Sequence, residues 1–188
     1  MLSNSRFLLV GLCVVILLLG NCSGKRNWEY ELVSLTPYSS DEALLNTSGR
    51  VERIKRGEFG LTIGIDLNYV MDETTMIEAT AERSNTGDES DYKPIPWTIP
   101  LQTHPEFMKE YYNDIVTTNL GPCSNLPAYE DDYTPPFPQG NYLMEKCIPN
   151  GDGFPEIAPE GFYRIQIKFT GPVDWGYICI VKVTTKVL

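Results

Sequence analysis

A mainly β fold, an antiparallel β-sandwich with one amphipathic helix near residues 104–118, is the architecture this sequence predicts. Three observations predict it. Apolar residues recur at every second position in several separate stretches. Clusters of Gly, Pro, Asp and Asn punctuate those stretches, and a single segment departs from period two for a helical spacing. A strand shows successive side chains to opposite faces, so alternation marks a sheet with one face covered. Seven or eight strands with few helices arrange as an antiparallel sandwich or barrel.

The chain begins with an uncharged apolar run, Phe7 to Gly20, behind the basic residue Arg6 and ahead of Cys22-Ser23-Gly24. The run falls short of the roughly 20 residues that a spanning helix needs, and small residues follow it. Residues 1–24 therefore read as a secretory signal peptide and 25–188 as one mature domain, long enough to bury a core. An uncleaved signal anchor is the alternative. Removing the segment takes away one of the chain's 15 basic residues and none of its 25 acidic ones, leaving a net charge of −11. Such a surface repels nucleic acid and anionic membrane faces, which are recognised through clustered Lys and Arg. No second long apolar run is present, so no stable membrane insertion is expected.

The strands follow in order. Trp28, Tyr30 and Leu32 alternate, and so do Phe59, Leu61, Ile63, Ile65 and Leu67 against Gly60, Thr62, Gly64 and Asp66. Ile77, Ala79 and Ala81 form a shorter run. Tyr163, Ile165, Ile167 and Phe169 alternate against Arg164, Gln166, Lys168 and Thr170. The last strand carries Trp175, Tyr177, Cys179, Val181 and Val183 on one side, with Ile178 and Ile180 giving way to Lys182 and Thr184 on the other. Asp88–Pro100 and Pro122–Pro138, rich in Pro, Asp and Tyr, read as loops. The sequon Asn46-Thr47-Ser48 lies between strand-like segments and offers Asn46 as a glycan acceptor in an exposed loop.

Thr103-His104-Pro105-Glu106 has the form of a capping box, with Pro in the first turn where its missing N–H costs nothing. After it Phe107, Met108, Tyr111, Tyr112, Ile115 and Val116 cover one half of a helical wheel. Lys109, Glu110, Asn113, Asp114 and Thr117 cover the other, and Asn119-Leu120-Gly121-Pro122 ends the helix. A polar face that is not basic points to packing on a sheet edge or across the open end of the sandwich, away from lipid.

Three cysteines remain after the signal: Cys123, Cys147 and Cys179. Cys123–Cys147 is the preferred bridge, since Cys123 lies in a turn-rich loop and the closure restricts the unfolded chain by about 3 kcal/mol. Cys179, inside an apolar strand, behaves as a small buried hydrophobe. If cleavage falls earlier, Cys22 survives and a second bridge becomes possible.

Motifs of catalysis are missing. The one histidine, His104, lacks the oriented partner or companion imidazoles that hydrolytic and zinc sites use, and reads as a solvated residue of the helix start. No nucleophile elbow, phosphate loop or dinucleotide fingerprint occurs. Gly151-Asp152-Gly153 is too short for a calcium loop, and Glu130-Asp131-Asp132 reads as a solvated acidic run. Accidental carboxylate pairs are plentiful among 25 acids, and none stands out. The chain is thus expected to be non-enzymatic, with no metal and no cofactor.

The sequence resembles the insect CheB family of secreted chemosensory proteins, relatives of the ganglioside-activator and ML lipid-recognition proteins. The resemblance rests on an ordered set: Trp28-Glu29-Tyr30, Lys55 to Gly60, Asp91-Tyr92-Lys93, Tyr111-Tyr112, Asn119-Leu120, Cys123 to Pro127, Pro138 with Gly140-Asn141-Tyr142, Gly151 to Pro155, Gly161-Phe162-Tyr163 and Gly171 to Trp175. It implies a cup-like sandwich of the lipid-activator type, whose sheets part to admit an apolar ligand. It also implies a place in chemosensory hairs, in pheromone detection and the perception of taste. Three mature cysteines are fewer than the lipid activators use, which puts their loop geometry and membrane-extraction activity in doubt here.

On that fold the candidate ligand pocket draws on Phe59, Leu61, Ile63, Ile77, Phe107, Tyr111, Tyr163, Ile165, Ile167 and Phe169, with Ala79 and Ala81 leaving room on an inner face. Facing strands that interdigitate large against small give the same pattern in an ordinary core. Tyr hydroxyls near the mouth would fix a polar head. The expected partners are a hydrophobic small molecule or lipid and a sensory receptor or channel. The alternatives are a glycolipid activator serving a hydrolase, docking through loops Ala128–Pro138 or Ile148–Phe154, and an acidic interaction module without a ligand.

Overall fold

The computed structural model describes residues 26–129 and 133–186. Residues 1–24, expected from the sequence to be a signal peptide, and the acidic run Glu130-Asp131-Asp132 lie outside the described residues. Nine strands occur among those described: β1 (Trp28–Ser39), β2 (Leu45–Lys55), β3 (Glu58–Leu67), β4 (Met76–Ser84), β5 (Lys93–Pro94), β6 (Ile99–Thr103), β7 (Gly140–Cys147), β8 (Gly161–Thr170) and β9 (Trp175–Thr185). One helical segment, α1, comprises an α-helical turn His104–Phe107, a π-helical stretch Met108–Thr117, a second α-helical turn Thr118–Leu120 and a 3-10 turn Gly121–Cys123.

The strands form two antiparallel sheets. The larger runs β1-β9-β8-β4-β5, with β6 also paired to β4, and the smaller runs β2-β3-β7. Consecutive strands β1 and β2 pack together along one side of the sandwich. On the other side a gap separates β6 and β4 from β7, and α1 fills it. Its first turn touches β4 and β6, and its last turns touch β7. The disulfide Cys123–Cys147, with Cα atoms 5.4 Å apart, ties the end of α1 to the end of β7.

The inward faces follow sequence parity. Along β3, Leu61, Ile63, Ile65 and Leu67 face the opposite sheet, and along β8 Tyr163, Ile165, Ile167 and Phe169 do the same. Register preserves this: Ile77 pairs with Phe169, Ala79 with Ile167 and Ala81 with Ile165. A bulge between Leu32 and Ser34 resets β1, so Leu35 takes the inward position while Val33 is exposed.

Several expectations need correction. Asp88–Pro100 is not one loop, since a 3-10 turn Glu89–Asp91, β5 and the start of β6 fall within it. These short pieces add to the β4 edge, and pairing decides them where alternation is too brief to show. Asn46 lies within β2, exposed, with its amide donating to the Asp66 carboxylate at 3.3 Å. Its acceptor position is therefore strand and not loop. The capping box does form: the Glu106 carboxylate accepts from the backbone N–H of Thr103 at 3.0 Å and from its hydroxyl at 2.8 Å. Beyond it the helix departs from the α form. Hydrogen bonds of the i→i+5 type widen each turn.

Candidate functional site

Between the two sheets and α1 lies a cavity of about 360 Å³, within the roughly 300–1,000 Å³ of small-molecule sites. From Tyr163 to Phe169 the strand that walls it rises about 20 Å, so the space is long. Among the described residues, no Asp, Glu, Lys or Arg side chain belongs to the wall. Branched aliphatics supply β3, Tyr163, Ile165, Ile167 and Phe169 supply β8, Met144 and Tyr142 supply β7, and Tyr177, Cys179, Val181 and Val183 supply β9.

Of the ten predicted candidates, Leu61, Ile63, Ile77, Phe107, Tyr163, Ile165, Ile167 and Phe169 lie on this wall. Phe59 and Tyr111 do not. Phe59 shares the inward parity of β3 but sits past Leu61, the last residue paired to β7, in the hairpin toward β2. Tyr111 is displaced because the widened turn brings Tyr112 to the wall; Tyr111 instead stacks on Phe107, with ring centroids 5.9 Å apart. Ala79 and Ala81 share the inner face of β4 without bordering the cavity.

One end is a floor. Leu67, Met71 and Ile77 are buried there, and Trp175 stacks on Phe169 at 3.9 Å while its indole N–H donates to the Tyr69 hydroxyl at 3.1 Å. His104 sits at this end. Far from being solvated, it is 3% exposed, wedged edge-on between Tyr133 and Phe137. The cause is the helix start itself: the His104 backbone N–H donates to Thr75 at 2.8 Å, which draws the first turn in over β4. Burial without a charged partner pushes the imidazole down to about 4, because desolvation penalises the protonated form.

The other end is a strap, residues 148–160 between β7 and β8, laid over a mouth framed by Trp28, Tyr30, Trp97 and Tyr163. Proline carbonyls receive the aromatic donors. Trp28 donates to Pro155 at 2.8 Å, Tyr163 to Pro159 at 2.6 Å, and Tyr30 to Pro149. The pattern continues along α1 and β7, where Tyr112 donates to Pro127 at 2.7 Å and Tyr142 to Pro138 at 2.5 Å. The hydroxyls expected to hold a polar head at the mouth are thus already spent on holding the loops. Buried donors take the nearest carbonyl, and Pro-rich loops offer many.

Asn119 locks the strap to α1. Its amide donates to Asp152 at 2.9 Å and its oxygen accepts from the Gly151 N–H at 2.8 Å. Gly151 has φ +81° and a Cβ there would come within 2.6 Å of the Arg26 guanidinium, which itself reaches Asp152 at 3.1 Å. The Gly151-Asp152-Gly153 sequence is therefore a tight turn docked on the helix. Asn119, Trp97 and the proline carbonyls escaped sequence reasoning, because their roles depend on partners far along the chain. Cys179 lies on the cavity wall, and burial pushes its thiol up to about 12.

Residues 77–165, from β4 through α1, the disulfide and the strap into β8, match the family model described as a protein of unknown function (DUF1091). No curated protein matches the chain.

Proposed function

We propose that this chain is a secreted, non-enzymatic protein that binds and presents hydrophobic, lipid-like molecules. Pheromone-type ligands of chemosensory hairs are the class favoured by its resemblance to the insect CheB family. The observation that carries the reading is the long, uncharged wall between the sheets. Each methylene moved from water into such a space contributes about 0.8 kcal/mol, so hydrocarbon alone drives binding. The family match is consistent with an ML-like lipid-recognition fold. A disulfide suits an oxidising compartment, and no helix among the described residues is long and apolar enough to cross a membrane. Absence of catalysis is part of the proposal: the ring neighbours of His104 are Tyr133 and Phe137, neither of which orients an imidazole for proton transfer.

Native mass spectrometry of the protein from eukaryotic culture, with displacement of a fluorescent apolar probe, tests this. Co-purified lipid or displacement by long-chain molecules is expected. A protein that carries nothing and releases no probe to any long-chain lipid would sink it.

A second reading, presentation of glycolipid to a hydrolase, draws support from the strap. Ile148, Phe154 and Ile157 are exposed there, Ile157 by 72%, and a lip of this kind suits contact with a bilayer surface. Liposome flotation separates the two: the carrier stays with the buffer, the activator floats.

A further inference from the structure

Nearly every polar group on the cavity wall is committed to the protein itself. Strands β3, β8 and β9 each lie between two hydrogen-bonded neighbours, so their backbone N–H and C=O groups are largely paired within the sheets. The phenols are spent as well. Tyr30, Tyr112, Tyr142 and Tyr163 donate to proline carbonyls, and Tyr177 bonds Thr47 at 2.5 Å. The Trp28 and Trp175 indoles donate to Pro155 and Tyr69, and both polar atoms of Asn119 hold the strap. Cys179 offers only a weakly bonding thiol. The unpartnered Nδ1 of His104 is sealed behind the wall, out of a ligand's reach.

The mouth does not make up for this. The strap crosses it, with Pro149, Gly151, Phe154 and Pro155 bordering the cavity. The start of β1 clasps the strap: Trp28 reaches Pro155, Tyr30 reaches Pro149, and the Asn27 N–H donates to the Glu156 carbonyl at 3.0 Å. A head group left in water would lift the strap from these bonds. The charged residues of the strap are Asp152, Glu156 and Glu160, and Arg26 beside them already pairs with Asp152 at 3.1 Å. Anionic heads are repelled there.

We propose that the cavity holds a long-chain hydrocarbon with no polar head, an alkane or alkene, enclosed whole beneath the closed strap. This rests on the carrier reading above and names the class of ligand. A hydroxyl drawn inside gives up its water and finds no partner, and an ionised carboxylate costs far more. A headless chain gives up nothing polar and gains for each methylene buried. The wall therefore selects by exclusion. Length supplies the affinity, and the want of a hydrogen-bond partner supplies the discrimination against amphiphiles.

The test uses the unaltered protein, so no variant has to fold. Tetradecane, tetradecanol and tetradecanoate are titrated at neutral pH against a bound fluorescent apolar probe, with free ligand concentrations measured by chromatography. Tetradecane is expected to displace half the probe at a free concentration at least about tenfold below that of tetradecanol, with tetradecanoate weaker still. A smaller ratio for the alcohol, or a carboxylate at least as tight as the alcohol, shows that a head group is accommodated. Either result overturns the proposal and leaves the carrier reading standing. Amide exchange at Gly151 supplies a second measurement. In the tetradecane complex it is expected to be no faster than in the free protein; faster exchange means a lifted strap and overturns enclosure. If none of the three ligands displaces the probe, the carrier reading fails and the proposal with it.

Discussion

The two ends of the cavity are built by opposite means. At the mouth, polar atoms are plentiful and satisfied: indole and phenol donors meet proline carbonyls, and Asn119 binds the strap at both of its polar atoms. At the floor, packing dominates. Leu45, Leu67 and Ile77 are at most 1% exposed, Trp175 lies flat on Phe169, and the His104 Nδ1 and the Thr75 and Tyr133 hydroxyls are left without partners among the described residues. The difference teaches where stability and function separate. Floor contacts are apolar, dense and expensive to remove, whereas mouth contacts are individually modest hydrogen bonds that can open one at a time.

Substitutions should expose that contrast. Trp175→Ala, which removes both the stack on Phe169 and the bond to Tyr69, is expected to cost about 3–5 kcal/mol in urea denaturation. Phe154→Ala, on the strap, should stay within about 0.5 kcal/mol. Comparable losses at the two sites would erase the distinction. Next in size is the disulfide. Replacing Cys123 and Cys147 together by Ser should cost about 3 kcal/mol and speed hydrogen exchange at Gly151 before it affects Ile77, because the bridge anchors the start of the strap.

Acid probes the floor alone. The folded His104 value, about 4, lies below the ordinary 6.5, so the unfolded chain binds the proton more readily. Stability is therefore full above pH 6.5 and declines as pH falls toward 4, by roughly 2–3 kcal/mol. Asp72, Asp91, Glu106 and Glu160 are held below their ordinary carboxylate values by hydrogen bonds they accept. Their contribution is lost only at more acid pH, as each protonates. Unfolding free energy measured between pH 7 and 4.5 should show this slope in the wild type and lose it in His104→Gln. Smallest of all, Tyr30→Phe removes one mouth hydrogen bond and should cost about 0.5–1.5 kcal/mol. Faster amide exchange in the strap, with the floor unchanged, would accompany it.

Sequence parity made the sheets legible. Alternation in 61–67, 163–169 and 175–183 assigned the inward residues, and eight of the ten candidates stand on the wall, because a strand has no freedom to turn one side chain without its neighbours. Phe59 has the right parity, but parity carries no information about where the facing strand ends. Tyr111 failed for a related reason: a wheel drawn at 3.6 residues per turn misplaces side chains once the helix widens. His104 was misread because one histidine at a helix start has no sequence feature that distinguishes burial from exposure. The backbone bond to Thr75, 29 residues earlier, decides it. The proline carbonyls were invisible for the same reason, since Tyr30 meets Pro149 and Trp28 meets Pro155 more than 100 positions away.

The most direct test of the account is methyl NMR of the isoleucine and valine side chains during titration with tetradecane. Cys179 and Val181 face the cavity on β9, while Ile178 and Ile180 alternate with them onto the outer face. The account predicts that Ile63, Ile77, Ile165, Ile167 and Val181 shift together in saturable fashion, with Ile178, Ile180 and Val33 unmoved. Shifts confined to Ile148 and Ile157 on the strap, or none at any concentration, would contradict it.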